Sequence, residues 1–353
     1  MSEVNQQLIA DRLSISRATV SRCFTNHAGI SPVTRAKVFQ VAAELGYTHM
    51  ETRKSSRKGK SKQAHLFNVL ICSDPDEYFR GSYASPGEQI LAGVSEFAQT
   101  NNTRVDVNLV PPDVEDISDP AFKEIEGLTK RKSTGILLIY PFPAKVIEQL
   151  ALKFPLVSLV DQLEHTSIDC VDVDHYAGIS RTVEYLVEAG HRRIGFYTKK
   201  YAVEASWSFR RYGGFIEKMA RMKLNASPED VIGMFPHDSI SVEESIDKAA
   251  EQTRKGVTAW VCAADHQAYD LIHGLIGKGL QIPADVSVTG FDGIERDKSE
   301  PQLTTVRIPF REIGMTGAQR LSTRMKKRFQ ERQHVYISGK LRAGETVAGP
   351  KPR

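Results

Sequence analysis

Apolar residues recur at helical spacing in three short stretches near the N-terminus, which predicts three helices. The second stretch begins after Ser16, a residue type that caps helices, and runs to about Thr25. The third begins at Ser31 and Pro32 and ends at Gly46, where glycine suits a left-handed C-cap. The residues that we expect to face inward are Leu8, Ile9, Leu13, Val20, Phe24, Val38, Val41, Ala42 and Leu45.

From Leu66 onward, short apolar runs alternate with stretches of helical period. This alternation predicts an α/β fold with parallel sheets and crossover helices. About 285 residues exceed what one such core usually holds, so we expect two lobes with a ligand cleft between them. The predicted strands are 67–72, 104–110, 135–140, 156–160, 170–173, 193–197, 260–263 and 286–290, and the predicted helices include 86–100, 176–189, 210–222, 241–255 and 266–278.

The positive charge is concentrated at the N-terminal end. Residues 1–65 hold eleven Lys and Arg against four Asp and Glu, whereas the rest of the chain holds 36 basic and 39 acidic residues. A small basic end on a nearly neutral body is typical of a chain that touches phosphate at one end. The alternative interpretation is a solubilising tail.

Several classes of protein are not indicated by this sequence. The longest apolar run, 135–140, is far shorter than the roughly 20 residues of a membrane span, and the polar N-terminus has no signal core. The four cysteines (Cys23, Cys72, Cys170 and Cys262) lie far apart, which argues against a zinc site and favours a reducing cytoplasm. Because neither a G-x-G-x-x-G motif nor a P-loop occurs, we expect no nucleotide cofactor, and because no C-x-x-C or His/Cys cluster occurs, we expect no metal.

The first two predicted helices are separated by a tight turn, and the second has a polar outer face, as in a helix-turn-helix. Arg17 and Arg22 on that face have guanidinium groups that match the paired acceptors of guanine. Short hydroxyl donors suited to phosphate oxygens lie beside them. Spacing alone equally allows a three-helix bundle with solvated arginines. The candidate phosphate contacts are Ser16, Thr19, Ser21 and Thr25.

One block of residues resolves this alternative. The sequence Ser16-x-x-Thr-Val-Ser-Arg22, followed by Thr34-Arg35 and Leu45-Gly-Tyr47, resembles the DNA-binding headpiece of the LacI/GalR family of repressors. The resemblance implies a headpiece over 1–48, with Arg17 and Ala18 at the variable base-reading positions and Arg22 at a commonly shared one.

The linker over 49–65 departs from the family pattern. Residues 52–62 hold six Lys and Arg and no acid, so this stretch is expected to be drawn to the DNA backbone. The family usually has a hinge helix here, with a leucine that wedges into the minor groove. Ser56 occupies the position of that leucine, and Arg53 is a candidate for minor-groove insertion. We hypothesise binding mainly through charge; the alternative is a flexible tether.

The resemblance continues through the large domain, 66–353. Asp172-Val-Asp174-His175, Arg211-Tyr-Gly-Gly214-Phe215, Ala263-Ala264-Asp265 and the run from Pro283 to Asp292 are similar to the family's effector-binding domain. The resemblance implies a domain shaped like a periplasmic sugar-binding protein, with three strands crossing between lobes. One lobe is expected to take about 66–166 and 296–330, and the other 167–295 and 331–353.

The resemblance also implies a set of ligand-binding residues. Arg211 matches the family's ligand-contacting arginine and Asp265 the contacting acid, while Asp292 matches the acid near the hinge. Carboxylates and arginine suit the hydroxyl groups of a sugar-like ligand. His175 lies where asparagine is usual, and Trp207 is a candidate for stacking on a ring. Alternatively, Arg211 and Asp265 form a salt bridge with each other.

Together these features predict a DNA-binding transcriptional regulator, most simply a repressor, and not an enzyme. The expected partners are double-stranded operator DNA, a small sugar-like effector and a second copy of the chain, as a homodimer or a pair of dimers. An alternative is a DNA-binding regulator whose large domain responds to a partner protein or to a purine-type corepressor. In either case effector and DNA affinities must be linked reciprocally.

Overall fold

The computed structural model describes residues 5–24, 27, 29–45, 65–73, 85–123, 125, 128, 134–162, 168–199, 206–234, 241–327 and 331–351. The chain divides into two compact units. Unit 1 comprises Met1–Asp172 and Phe310–Val335, and unit 2 comprises Val173–Pro309 and Tyr336–Arg353.

Three helices form the N-terminal part of unit 1: α1 (Gln6–Arg12), α2 (Arg17–Phe24) and α3 (Pro32–Glu44). The predicted caps of the last two are confirmed. Ser16 Oγ accepts the amide of Thr19 at 3.1 Å, and Ser31 Oγ accepts the amide of Thr34 at 3.0 Å. The predicted C-cap, Gly46, lies outside the described residues.

The small core of these helices contains most of the predicted inward residues, although Leu13, Phe24 and Leu45 are only half-buried. Ile9, Val20 and Val38 are fully buried, as expected, but Leu8 is 39% exposed and its prediction was wrong. Ala10 is buried in place of Leu8, because the inward face of the short helix α1 carries Ile9 and Ala10.

The N-terminal helices also pack on the rest of unit 1. Helix α3 lies against the helix Pro86–Thr100 and the strand Thr103–Val110. Gln99 Nε2 donates to the carbonyl oxygen of Ile30 at 3.0 Å. Residues 5–45 are therefore grouped with unit 1 in this structure.

The larger part of unit 1 is a parallel sheet with helices, as the alternating pattern predicted. Strand β1 is buried along most of its length, as expected of a central strand covered on both faces. The sheet order is β11-β5-β4-β3-β1-β2. Its elements are β1 (His65–Cys72), α4 (Pro86–Thr100), β2 (Thr103–Val110), α5 (Pro120–Lys123), β3 (Thr134–Ile139), α6 (Ala144–Ala151), β4 (Leu156–Leu159), β5 (Asp169–Val173), α11 (Phe310–Lys326) and β11 (His334–Ile337).

Unit 2 contains the second sheet, in the order β12-β10-β9-β8-β6-β7, in which β12 is antiparallel to β10. The apolar strand β8 lies near its middle, with Trp260 fully buried. The elements are α7 (His175–Glu188), β6 (Ile194–Tyr197), α8 (Ser206–Arg221), β7 (Val231–Ile232), α9 (Val242–Arg254), β8 (Ala259–Cys262), α10 (Asp265–Gly277), β9 (Ser287–Asp292), β10 (Thr304–Arg307) and β12 (Lys340–Arg342).

The chain passes between the units at positions that differ from those predicted. The passages lie at 172/173, 309/310 and 335/336, whereas the sequence placed them near 166/167, 295/296 and 330/331. Strand pairing explains the difference. Asp169 pairs with Val157 of β4 and so belongs to the first sheet, and Thr305 pairs with Gly290 of β9 and so belongs to the second.

A buried histidine fastens the C-terminal tail to unit 2. His191 is 1% exposed; its Nε2 donates to the carbonyl oxygen of Ala348 at 2.9 Å, and its Nδ1 lies 2.9 Å from Thr258 Oγ1. Thr346 exchanges backbone and hydroxyl hydrogen bonds with Val288 of β9. Burial lowers the pKa of His191, although the Ala348 carbonyl opposes the effect.

The burial of His191 predicts a part of the stability that is lost in acid. The fold holds the imidazole neutral, whereas the unfolded chain takes up a proton below about pH 6.5. We expect the free energy of unfolding of the wild type to fall relative to that of His191→Gln by up to about 1.4 kcal/mol per pH unit below pH 6.5. Urea denaturation of both proteins across this pH range measures the difference.

The pH dependence of the wild type alone would not isolate His191. Burial also raises the pKa of Asp265 and of Asp292, and their titration changes the free energy of unfolding in the opposite direction. The difference between the wild type and His191→Gln removes this contribution. A difference curve for His191→Gln that stays flat with pH would contradict the prediction.

Candidate functional site

Helix α2 presents one exposed face that carries the predicted base-reading residues. Arg17, Ala18 and Arg22 are exposed, and Ser21 is half-buried beside them. Thr19 is turned toward the helix start, where its hydroxyl lies 2.9 Å from Ser16 Oγ. The structure thus places both arginines on the solvent side of α2, while Ser16 caps the helix by accepting the amide of Thr19.

Three predicted DNA contacts cannot be placed. Thr25, Arg53 and Ser56 lie outside the described residues, together with the linker. Their roles stay predictions.

The end of α2 is held by an arginine whose role was not predicted from the sequence. Arg35 of α3 is 1% exposed, and its guanidinium donates to the carbonyl oxygen of Cys23 at 2.6 Å and to that of His27 at 2.9 Å. These bonds satisfy carbonyl groups at the end of α2, where a helix leaves its last carbonyls unpaired. The sequence offers one signal of this role: Arg35 precedes the inward-facing Val38 by three positions, which places both residues on one face of α3.

We expect Arg35→Ala to loosen the end of α2. Removing the guanidinium leaves the buried Cys23 carbonyl without its donor, at a cost of about 1 kcal/mol or more. Because Cys23 is fully buried, local opening should raise the rate at which a maleimide labels its thiol by about fivefold. Peptide-resolved mass spectrometry of the labelled chain measures this rate.

The matched control is Lys37→Ala, which removes an exposed charge from the same helix. Labelling of Cys23 should be unchanged in this variant. Equal labelling rates in Arg35→Ala and the wild type would show that Arg35 does not hold the end of α2.

The candidate ligand site is built around Arg211 on α8. The residue is 4% exposed, and its guanidinium carbon lies 4.5 Å from the ring centre of Trp207 and 4.0 Å from that of Phe291. Both rings can attract the cation through their faces. These contacts restrict where the guanidinium can lie.

Hydrogen bonds fix the same guanidinium further. Its Nη1 donates to the carbonyl oxygen of Ala263 and lies 3.4 Å from Asp292 Oδ1, and its Nε donates to His175 Nδ1 at 3.2 Å. Because Nδ1 of His175 accepts, Nε2 carries the proton in the neutral ring. Four of the five predicted ligand residues, Arg211, His175, Asp292 and Trp207, are thus brought together within unit 2.

Asp292 is held in an unusual state. Its φ is 151°, a region in which a residue with a side chain is strained. Burial raises the pKa of this carboxyl, and the charge of Arg211 opposes the shift. Backbone strain and a shifted carboxyl together are features that cluster at binding sites.

The fifth predicted residue, Asp265, is used differently. It is 1% exposed, and its oxygens accept three hydrogen bonds from within unit 2. A carboxylate has about four acceptor sites, so little of this group is left for a ligand. Burial raises its pKa, and the three donors and the charge of Arg211 lower it.

A second histidine in this region was not foreseen from the sequence. Burial, together with the positive charges of Lys199, Arg296 and Arg211, lowers the pKa of His266 to about 3. The ring is therefore neutral at physiological pH. In the sequence, only the position of His266 directly after Asp265 indicated that it lies near the candidate site.

A cavity of about 480 Å³ also lies in unit 2. It is lined mainly by residues 293–303, with Tyr269, Thr305 and Arg342. Arg211, His175 and Trp207 are not among its lining residues, although Gly293 directly follows Asp292.

Other chemistry is not indicated by the part of the chain that the structure describes. It contains no group of three His, Cys, Asp or Glu residues that could hold a metal ion, and no helix long and apolar enough to cross a membrane. All four cysteines are free and buried, and burial raises the pKa of Cys23 to about 11 and that of Cys72 to about 12.

Two known families match separate parts of this chain. The family of bacterial regulatory proteins, lacI family, matches residues 7–49, and the periplasmic binding protein-like domain matches residues 183–347. The transcriptional repressor CytR of Escherichia coli K12 is 27% identical over 350 residues, covering 96% of this chain and 93% of the relative. The ribose operon repressor of Haemophilus influenzae is 23% identical, covering 90% and 91%.

Solved structures show the same fold. A lac repressor dimer bound to operator and the anti-inducer ONPF has a TM-score of 0.62 at 22% identity, covering 98% of this chain and all of the other. A complex of the regulator CelR with cellobiose has a TM-score of 0.65 at 20% identity, with the same coverage. The chain is thus similar to the lacI family of bacterial regulatory proteins over residues 7–49, to the periplasmic binding protein-like domain over residues 183–347, and to a transcriptional repressor over 96% of its length.

Proposed function

We propose that this chain is a transcriptional repressor whose affinity for operator DNA is controlled by a small polar ligand, most simply a sugar or sugar derivative. The observation that carries the proposal is Arg211, a buried guanidinium fixed by two rings and three polar partners. A charge so confined is suited to binding an oxygen-rich ligand in one orientation.

The DNA-binding part of the proposal is supported by the exposed face of α2. Arg17 and Arg22 point away from the core, and a helix with such a face can enter the major groove. We propose that two copies of the chain bind a near-palindromic site, one headpiece to each half-site.

The ligand part is supported by residue chemistry and by relatives. Structures of related regulators contain cellobiose, ribose or sucrose. In this chain Arg211 supplies donors, Asp292 an acceptor and Trp207 a ring face on which a sugar can stack. His175 supplies an Nε2–H donor where the family usually has asparagine, so this chain's choice among sugars should differ from that of its relatives.

The two parts are joined by linkage. If the ligand changes operator affinity by some factor, the operator changes ligand affinity by the same factor, typically about 5–150-fold. We propose no catalytic step, because control of transcription needs only binding and release.

The experiment uses the full chain. A duplex is first selected from a random pool, and the four sugars cellobiose, ribose, glucose and sucrose are screened for a rise in Tm. A sugar at a hundred times its Kd stabilises the fold by about 2.7 kcal/mol. The proposal requires that a stabilising sugar also change the Kd for the selected duplex; failure to select any duplex would refute it.

A further inference from the structure

The carboxylate of Asp265 joins two distant parts of unit 2. Asp265 is the first residue of α10. Its Oδ2 accepts the amides of Gly293 and Ile294, both at 2.8 Å, and its Oδ1 accepts the hydroxyl of Thr305 at 2.5 Å. One buried side chain therefore holds both the segment that follows Asp292 and the strand β10.

The segment 293–294 and strand β10 lead to different regions of the chain. Gly293 and Ile294 directly follow Asp292, which pairs with Arg211 in the candidate ligand site. Strand β10 leads to the passage at 309/310, where the chain leaves unit 2. The ligand site and an exit strand are thus bound to the same carboxylate.

We propose that Asp265 is a positioning residue, which couples occupancy of the Arg211 site to strand β10 and does not itself contact the ligand. This inference rests on the proposed function, because it concerns how a bound ligand alters the rest of the chain. A ligand that changes the pairing of Arg211 with Asp292 displaces the backbone at 293–294, and the Asp265 carboxylate carries that displacement to Thr305.

Further contacts support this connection. The amide of Asp265 lies 3.4 Å from Asp292 Oδ2, and the carbonyl oxygen of Asp292 accepts the amide of Ile308 at 3.0 Å. Two hydrogen bonds therefore connect this part of the chain to the ligand site. Thr305 of β10 bonds to the side chain of Asp265, and Ile308, the residue after β10, bonds to the backbone of Asp292. A carboxylate at the start of α10 is also stabilised by the helix dipole.

Glycine at position 290 makes room for this carboxylate. A Cβ there would lie 2.3 Å from Asp265 Oδ1, which no side chain tolerates. The Asp265 side chain is itself 1% exposed, and such buried, charge-assisted bonds hold their partners tightly.

The test compares Thr305→Val, which removes the hydroxyl, with Thr305→Ser, which keeps it. The probe is whichever of cellobiose, ribose, glucose and sucrose stabilises the wild type. Operator Kd is measured with and without this sugar, and sugar Kd is measured by calorimetry. We expect Thr305→Val to keep both basal affinities within about twofold but to reduce the effect of sugar on operator affinity by roughly fivefold. Thr305→Ser should behave like the wild type.

The variant Asp265→Asn separates this role from ligand contact. If it weakened sugar binding by about tenfold or more while saturating sugar still changed operator affinity as in the wild type, Asp265 would be a ligand contact and the inference would be overturned. An unaltered sugar effect in Thr305→Val would also overturn it.

A measurement without ligand keeps failure of the inference distinct from failure of the proposed function. If the wild type responds to none of the four sugars, control by these sugars is excluded from the proposed function, but the inference can still be tested. Hydrogen exchange then tests the connection alone. The amides of Gly293 and Ile294 should exchange faster in Thr305→Val than in Thr305→Ser, and equal rates would contradict the inference.

Discussion

Replacing Arg17 and Arg22 together by alanine should weaken binding of the intact chain to its selected duplex by about thirtyfold or more. Each guanidinium that pairs with guanine in the major groove is worth roughly 1–3 kcal/mol, and two such contacts are removed. Both side chains are exposed on α2, so their loss should leave the headpiece folded. Fluorescence anisotropy at fixed salt measures the Kd, since protein–DNA affinity depends steeply on salt.

The matched control removes two positive charges elsewhere. Lys153→Ala combined with Arg181→Ala lowers the net charge equally, because both residues are exposed and lie outside the headpiece. Its affinity for the selected duplex should stay near that of the wild type. A loss in the arginine variant that is equally large on a scrambled duplex would mean that Arg17 and Arg22 contact phosphates and do not read bases.

The elements that could be predicted from the sequence are those with bulky apolar residues at regular spacing. The helix 86–100 was placed at its observed bounds, and the strands of both sheet centres were placed within one or two residues. In these elements the hydrophobic period and the packing coincide, because the buried face is formed by large side chains.

Helix α11 was not predicted, and its packing explains why. Gly314 lies against the carbonyl oxygen of Ile90, where a Cβ would approach to 2.0 Å, and Gly317 lies against Leu159. The contact face of this helix is thus formed partly by glycines, so it lacks the apolar pattern of an amphipathic helix. Strand β10 was missed for a related reason, since four residues that include two threonines give too short a pattern.

The residues of the candidate sites could likewise be predicted only in part from the sequence. Motifs carried over from a resembling family identified the residues that meet around Arg211. They did not indicate that Asp265 binds Thr305 and the amides of 293–294, because these partners are separated in the sequence and meet only when β9 and β10 pair. The role of Arg35 likewise depends on carbonyl groups, which no side-chain pattern reveals.

Replacing Arg211 by lysine should abolish most of the response to sugar although the charge is retained. Lysine cannot present a planar fork, and its ammonium group cannot reproduce the close contacts that the guanidinium makes with the rings of Trp207 and Phe291. The lost charge-assisted hydrogen bonds predict sugar binding that is about ten- to 150-fold weaker. Calorimetry with the sugar that stabilises the wild type measures this loss.

Operator binding by this variant provides the internal test. Without sugar, Arg211→Lys should bind the selected duplex as the wild type does, since Arg211 lies in unit 2 and far along the chain from the exposed face of α2. With sugar, the operator Kd should no longer change at concentrations that saturate the wild type. Arg221→Lys is the control, because Arg221 lies on the same helix and is 68% exposed. Sugar binding by Arg211→Lys within twofold of this control would mean that the site around Arg211 is not where the ligand binds.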